Sequence, residues 1–541
     1  MSPQDSSGSR TRTKHRPRGV AVFLAGGLFF AAVVGPVAPA QAAPAGIAWH
    51  SCPDDPAADC GRLGVPIDTD HPEQGTLSLS VKRYAASAPK SQRLGVLVYN
   101  PGGPGLSAVD ALQAFKAGVG PVLAARFDLV AVDPRGVGES VITCDGSGAP
   151  ALGFTVMPTT RDQLIEQMKV LDPWLRESCV ASGLLSRHMG TIDNARDLEA
   201  LRRALGESQV TYYGSSYGSI LGLAFAKLFP RSVRALIFDG AVDPRALSSA
   251  PGTRRDTLWT RVGAAASGQD AFWSSVVRCE SLGVNGCAEA TRIRPAYNFL
   301  VDYLFKRSLE ISGYGDFDSS ALQNSVVNLL YHFNEYGIDD YELLFAQIVG
   351  LADLAGASET PSSAQSRRAV SLDLELLRAT ATSTPFGAGT VPRQDPSARL
   401  ALVDSIVCSE TAEPLTVKDM IQDAEGSDRN TPGFGEYWSS TLSACVGWSR
   451  VTPALANVLR DLRLAVPLLV LANDHDPVTG LAGARAASRT SRQGQLLEVT
   501  GSWGHGVMGR SACADAARDR FAVTLDQPTV RTCPVDIALF S

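Results

Sequence analysis

Six short apolar runs, each closing on a turn, constrain this chain more than any other feature. Leu94 to Tyr99, Phe127 to Val132, Gln209 to Tyr213 and Val233 to Phe238 come first; Val466 to Leu471 and Gln495 to Val499 follow far downstream. Runs of this length, bounded by Gly, Pro, Asn or Asp, read as strands buried on both faces. Helical patterns lie between them. Ala195, Leu198, Leu201 and Leu205 share one face of a helix expected to be capped by Asp193 and to stop at Gly206. Tyr217 to Phe229 is apolar nearly all round and ends at Pro230, as a helix covered by a sheet should be. Strands alternating with helices imply a mostly parallel sheet with helices on both faces.

The sheet text is interrupted. From Pro244 to Ala456 helical segments such as Ala321 to Phe333 and Arg368 to Ala379 dominate, Ser358 to Ser366 reads as a loop, and the strand pattern resumes only at Val466. The expected organisation is a core in two parts, 43–243 and 457–541, with a mainly helical cap inserted over 244–456. A length of 541 residues would allow two to four structural units, but one decorated α/β domain can absorb it.

Residues 1–42 read as a secretory signal: Arg10, Arg12, Lys14, Arg16 and Arg18 precede an apolar run from Val20 to Val37, and Ala40-Gln41-Ala42 is an A-x-A cleavage site. The alternative, a single membrane anchor, is disfavoured by the glycines and prolines of the run. Adjacent arginines and a lipid-accepting cysteine are both missing from it. Without these residues the chain carries 44 Lys and Arg against 54 Asp and Glu, a formal charge of −10. Such a surface argues against nucleic acid and anionic membranes as partners. The ten cysteines all lie beyond the signal, and none forms a C-x-x-C pair. They read as structural disulfides of an exported protein, paired with their nearest neighbours in chain order: 52 with 60, 144 with 179, 279 with 287, 408 with 445, 513 with 533.

Gly214-Ser-Ser216-Tyr-Gly218 matches G-x-S-x-G. Roughly 0.3 such patterns arise by chance in a chain this rich in Gly and Ser, so context decides. The motif follows an apolar strand and opens a buried helix, the setting in which the central serine is held strained with its hydroxyl exposed. Ser216, not Ser215, is the candidate nucleophile. Its base should lie downstream, and His505 stands in a loop after the last apparent strand between Gly504 and Gly506. The orienting acid should follow the preceding strand. Asp476 is preferred to Asp474, because Pro477 and Thr479 build a turn that can aim its carboxylate, and no cluster nearby makes a metal site of Asp474-His475-Asp476. Two backbone N–H donors must face the oxyanion of acyl transfer: Tyr217, directly after the nucleophile, and Gly103, in the loop Asn100-Pro-Gly-Gly-Pro-Gly105, where Pro104 offers none.

Five stretches taken together resemble the secreted tripeptidyl aminopeptidases of actinomycetes: Asn100 to Gly105, Asp133-Pro-Arg-Gly-Val-Gly-Glu-Ser140, Gly214 to Gly218, Asp476-Pro-Val-Thr479 and Gly501-Ser-Trp-Gly-His505. That resemblance, running from about Trp49 to Cys533, implies an α/β-hydrolase fold related to the proline iminopeptidases, with a characteristic C-terminal segment. It implies a cofactor-free serine exopeptidase that acts on peptides with a free N-terminus through Ser216, Asp476 and His505. Leu106-Ser107 and the acid-rich Asn473 to Pro477 depart from the family's usual pattern. An aminopeptidase also needs a carboxylate for the substrate ammonium. Glu410 falls where the family places an acid after a cysteine; a solvated glutamate is the plain alternative, and Glu335, Asp339 and Asp340 are rivals. A carboxylesterase on the same triad, or a non-catalytic binding protein, would share the fold. A monomer is expected.

Overall fold

The computed structural model describes residues 46–140, 158, 161–174, 177, 185–248, 255–331, 340–356, 396–410, 416–447 and 454–540. The signal segment 1–42, the helix expected at 368–379, the loop at 358–366, Cys144, Cys179, Glu335 and Asp339 lie outside the described residues.

Strands in chain order are β1 (His50–Ser51), β2 (Asp59–Pro66), β3 (Thr76–Tyr84), β4 (Val96–Asn100), β5 (Asp128–Val132), β6 (Val210–Ser215), β7 (Val233–Asp239), β8 (Leu309–Ile311), β9 (Gly315–Phe317), β10 (Leu468–His475), β11 (Gly494–Trp503) and β12 (Thr532–Pro534). All but the small β8–β9 hairpin join one ten-stranded sheet, ordered β1-β2-β3-β5-β4-β6-β7-β10-β11-β12. From β5 to β12 neighbouring strands run parallel. All six expected runs are in that parallel part. The antiparallel edge, β1 to β3, was not expected: β2 and β3 alternate polar and apolar residues where the other strands are continuously apolar.

Successive side chains point to opposite faces of a strand. Val96, Val98, Tyr212, Leu236, Phe238, Leu468 and Val470 therefore feed one core. Leu97, Tyr99, Tyr213, Ala235, Ile237, Leu469 and Leu471 feed the other. Helix α1 (Ala108–Arg126) packs on the second face through Leu112, Phe115 and Val119. The next helices are α2 (Arg161–Trp174), α3 (Thr191–Ala204) and α4 (Gly218–Leu228), the last two covering the first face through Leu198, Leu201, Ile220 and Leu223. Helix α3 starts two residues before its expected cap. Gly190 leads into it, and Asp193 sits in its first turn, where the helix dipole favours a negative charge.

Between β7 and β10 the described residues hold α5 (Leu258–Val262), α6 (Ala264–Leu282), α7 (Ile293–Leu304), α8 (Ser319–Tyr331), α9 (Asp340–Leu354), α10 (Pro396–Glu410), α11 (Val417–Asn430), α12 (Phe434–Ser440) and α13 (Ala454–Leu459). Helix α2, unforeseen, joins this helical group from the far side of the chain. Its Leu164 and Met168 meet Met420 and Ala424, and Gln163 and Gln167 donate to Asp318 (2.9 Å) and Ser443 Oγ (2.6 Å). Helices α14 (Leu481–Ser488) and α15 (Ala512–Thr524) complete the chain. Disulfides join Cys52 to Cys60, Cys279 to Cys287, Cys408 to Cys445 and Cys513 to Cys533, all in the expected pairing.

Candidate active site

In open parallel sheets ligands bind at the carboxyl ends of the strands, where the strand order reverses. Here the chain leaves β4 for β5 on one side and reaches β6 on the other, so the ends of β4 and β6 mark that point. Asn100 ends β4 and Ser215 ends β6.

The turn from β6 into α4 is too tight for side chains at its two glycines. A Cβ on Gly214 would lie 2.4 Å from the Gly218 carbonyl oxygen, and one on Gly218 would lie 2.6 Å from that of Asn100. Between them Ser216 has a φ of 52°, the left-handed region that a non-glycine residue rarely adopts. Its N–H donates to the Asp239 carbonyl (2.9 Å), which ties the elbow to β7.

The three consecutive residues of the acid loop go to three places. Asp474 accepts the N–H groups of Gly501 (2.7 Å) and Ser502 (2.9 Å). His475 pairs with Asp270 (2.8 Å) and stacks on Trp503 at 4.7 Å. Asp476 is the one that meets His505, with Nδ1 at 3.0 and 2.9 Å from its two oxygens. The turn that follows completes its shell: Val478 N–H (2.9 Å), Thr479 N–H (2.8 Å) and Thr479 Oγ1 (3.0 Å) all donate to it. Burial alone would raise the pKa of this carboxyl, which is 2% exposed, but the charge of His505 and these donors hold it below its ordinary value. Burial pulls the His505 pKa down, and the neighbouring Asp476 outweighs it, so the imidazole titrates above its usual range.

Two further residues hold His505, and the sequence did not single out either for this. Asn473 Nδ2 donates to the carbonyls of Gly504 (2.8 Å) and Gly506 (2.6 Å), on both sides of the histidine. Asp239 accepts from Val507 N–H (2.6 Å), Met508 N–H (3.1 Å) and Tyr213 OH (2.9 Å), fixing the chain just beyond. The signal for both was their place, at or next to the C-terminal end of a central strand. Tyr331, the last residue of α8, lies against the imidazole at 4.9 Å.

Among the described residues, the three polar groups that the proton transfer and the oxyanion would need make no hydrogen bond. His505 Nε2 is buried and makes no hydrogen bond, not even to Ser216 Oγ. The N–H groups of Tyr217 and Gly103 are likewise unengaged, whereas that of Gly102 is taken by Asn100 Oδ1 (3.0 Å). The Gly-rich loop lies directly over the elbow: a Cβ on Gly102 would meet Tyr217 N at 2.9 Å and Ser216 Cβ at 3.0 Å. The Asp133-Pro-Arg stretch supports this loop from below. Asp133 accepts from Ser107 Oγ (2.8 Å) and Val109 N–H (3.0 Å), and Arg135 is buried in an ion pair with Asp197 at 2.6 Å. Ser107, a departure from the family pattern, thus caps α1 and binds Asp133.

Glu410 is 2% exposed, which excludes the solvated alternative. Its oxygens accept from Thr191 N–H, Thr191 Oγ1 and Tyr217 OH, so the structure brings it to the elbow from behind, at the far end of the Tyr217 side chain.

Residues 95–260 match the family described as the alpha/beta hydrolase fold, and residues 431–533 match the TAP-like protein family. The serine protease Hip1 of Mycobacterium tuberculosis is 36% identical over 254 residues, covering 45% of this chain and 46% of that protein. A tripeptidyl aminopeptidase of Streptomyces lividans is 35% identical over 232 residues, 41% of this chain and 42% of the other. A carboxylesterase B of Mycobacterium tuberculosis is 35% identical over 215 residues, 36% and 40% respectively. The matches thus span less than half the length of these relatives. With a parallel sheet, a strained serine between strand and helix and a histidine held by an acid, the chain has the α/β-hydrolase fold, and its residues 431–533 are similar to the TAP-like protein family.

Proposed function

We propose that this chain is a secreted serine exopeptidase that removes short units, tripeptides among them, from the free N-terminus of peptides. Ser216 attacks the scissile carbonyl, His505 takes its proton through Nε2 and returns it to the leaving amine, and Asp476 holds the imidazole in the tautomer this requires. The N–H groups of Tyr217 and Gly103 receive the oxyanion. The observation that carries the reading is the set of unengaged groups: a base whose Nδ1 is held while its Nε2 is free, beside two idle backbone donors at a strained serine. In an unliganded enzyme the bond from serine to base is often open and tightens on binding. Relatives named tripeptidyl aminopeptidase and serine protease support the peptide substrate, and the disulfides support export. No cofactor enters this chemistry, and the protein acts as a monomer.

A relative named carboxylesterase favours one second reading, an esterase on the same triad. A free-amine tripeptide anilide and its N-acetylated form separate the two: the exopeptidase loses turnover by at least tenfold when the amine is blocked, and an unchanged rate defeats it. Labelling by a fluorophosphonate that disappears in Ser216→Ala tests the nucleophile.

A further inference from the structure

Three side-chain oxygens behind the nucleophile form a closed triangle. Tyr217 OH lies 2.7 Å from Glu410 Oε2, Thr191 Oγ1 lies 2.7 Å from the same oxygen, and the two hydroxyls lie 2.7 Å from each other. Each contact is of hydrogen-bond length, and each needs one hydrogen. The two hydroxyls supply two. If Glu410 is a carboxylate, one contact sets two oxygens face to face with nothing between them; if it is a carboxylic acid, the third proton closes the ring. The second carboxyl oxygen accepts Thr191 N–H in either form. The electrostatics agree: burial, offset in part by Thr191 and Tyr217 and reinforced by Asp193 of α3, pushes the Glu410 pKa up to about 7.

The triangle joins three elements that meet at the candidate site. Glu410 is the last residue of α10, Thr191 the first of α3, and Tyr217 stands between β6 and α4. Helix α10 also reaches the loop that carries the other proposed oxyanion donor, Gly103. A Cβ on Gly105 would lie 3.3 Å from Leu402, and one on Gly136, in the stretch that supports the loop, would lie 2.7 Å from it, so Leu402 packs against the last glycine of the loop and against its support. The Cys408–Cys445 disulfide pins this helix two residues before Glu410.

We propose that α10 is a brace for the oxyanion hole, with Glu410, as the neutral acid, a positioning residue that holds Tyr217 by its hydroxyl and thereby fixes the N–H that faces the oxyanion. This rests on the assignment of Ser216 and Tyr217 made above and not on the identity of the peptide. The substrate ammonium is not what Glu410 recognises: both its oxygens are engaged within the chain. A donor displaced by a fraction of an ångström loses much of its effect on the transition state and little on ground-state binding, so the loss falls on kcat.

The experiment measures kcat and KM on two substrates, p-nitrophenyl acetate, which has no amine, and a free-amine tripeptide p-nitroanilide. Glu410→Leu and Tyr217→Phe, which open the ring, should lower kcat about tenfold to a hundredfold on both substrates with KM nearly constant. Glu410→Gln places a neutral amide with hydrogens to donate in the same position, and should restore kcat on both to within about threefold of the unsubstituted enzyme. A rise in KM confined to the free-amine substrate, with ester turnover intact, would make Glu410 an ammonium anchor and overturn the proposal. So would a Gln variant as slow as the Leu variant. If the anilide is not cleaved by any form, the exopeptidase reading fails, and the ester still tests the brace.

Discussion

Tyr331 sets its ring 4.9 Å from the imidazole of His505, tilted by 37°. It belongs to α8, in the helical segment between β7 and β10, so this segment touches the proposed base itself. As the proposed base, His505 has to be neutral to accept the serine proton, so activity should be lost as pH falls through its pKa, which Asp476 holds above the usual value against the pull of burial. Tyr331→Ala removes part of that burial and lets the charged form be solvated, which moves the pKa further up. The acid limb of kcat/KM should shift to higher pH, with about a threefold to tenfold loss near pH 6 and little near pH 9. Tyr331→Phe, keeping the ring, should follow the unsubstituted profile. Unshifted limbs in the Ala variant would show that the ring does not shield the base.

The histidine is gripped through its backbone as well. Asn473 donates to the carbonyls on both sides of it from a fully buried position. Asn473→Ala leaves both acceptors unpaired and frees the loop. The expected result is a fall in kcat of about tenfold to a hundredfold at steady KM, with about 1–3 kcal/mol lost from stability in urea titrations. Asn473→Asp, which turns an acceptor toward both carbonyls, should be the worse of the two.

Much of this was legible beforehand, and the reason differs from part to part. Six strands could be found because strands covered on both faces must be continuously apolar, and Val96 to Tyr99 or Leu468 to Leu471 can be little else. Ser216, Asp476 and His505 could be chosen as candidates because a strand-to-helix turn and two strand-end loops come in a fixed order. What escaped depends on contacts remote in sequence. Helix α2 looks like any amphipathic helix until Met420 and Ser443 arrive beside it. Asn473 and Asp239 read as strand ends until the His505 loop folds onto them. Glu410 could be marked by position alone, and its partners lie 193 and 219 residues away. The alternating β2 and β3 are an edge pattern, not a core one.

The disulfide of Cys408 closes the longest loop of the four described, with a sequence separation of 37. Cross-linking a loop of that length lowers the entropy of the unfolded chain by an amount worth about 3–4 kcal/mol. Cys408→Ser with Cys445→Ser should therefore unfold at lower urea by that margin. Since the bond pins α10, kcat on the ester should fall as well, whereas opening Cys279–Cys287 on the α6 side should cost stability alone. Peptide mapping without reductant should join Cys144 to Cys179; a crossed pairing refutes that expectation.

Glu410 also predicts how stability varies with pH. Its carboxyl has a pKa near 7 when folded against 4.5 as a free side chain. The folded state thus binds this proton more tightly than the unfolded state does. The contribution is fully present below about pH 4.5, declines as pH rises through the interval up to about 7, and levels off above it. A displacement of this size corresponds to about 2–3 kcal/mol between pH 5 and pH 8 for a group fully removed from water. Other buried carboxyls, Asp133 with a pKa near 6 among them, titrate in the same range, so the measurement is a difference. Urea midpoints at pH 5 and pH 8 should fall more for the unsubstituted chain than for Glu410→Gln, by about that amount. Identical slopes for the two proteins would mean that Glu410 is ionised throughout and that the ring behind Tyr217 holds no third proton.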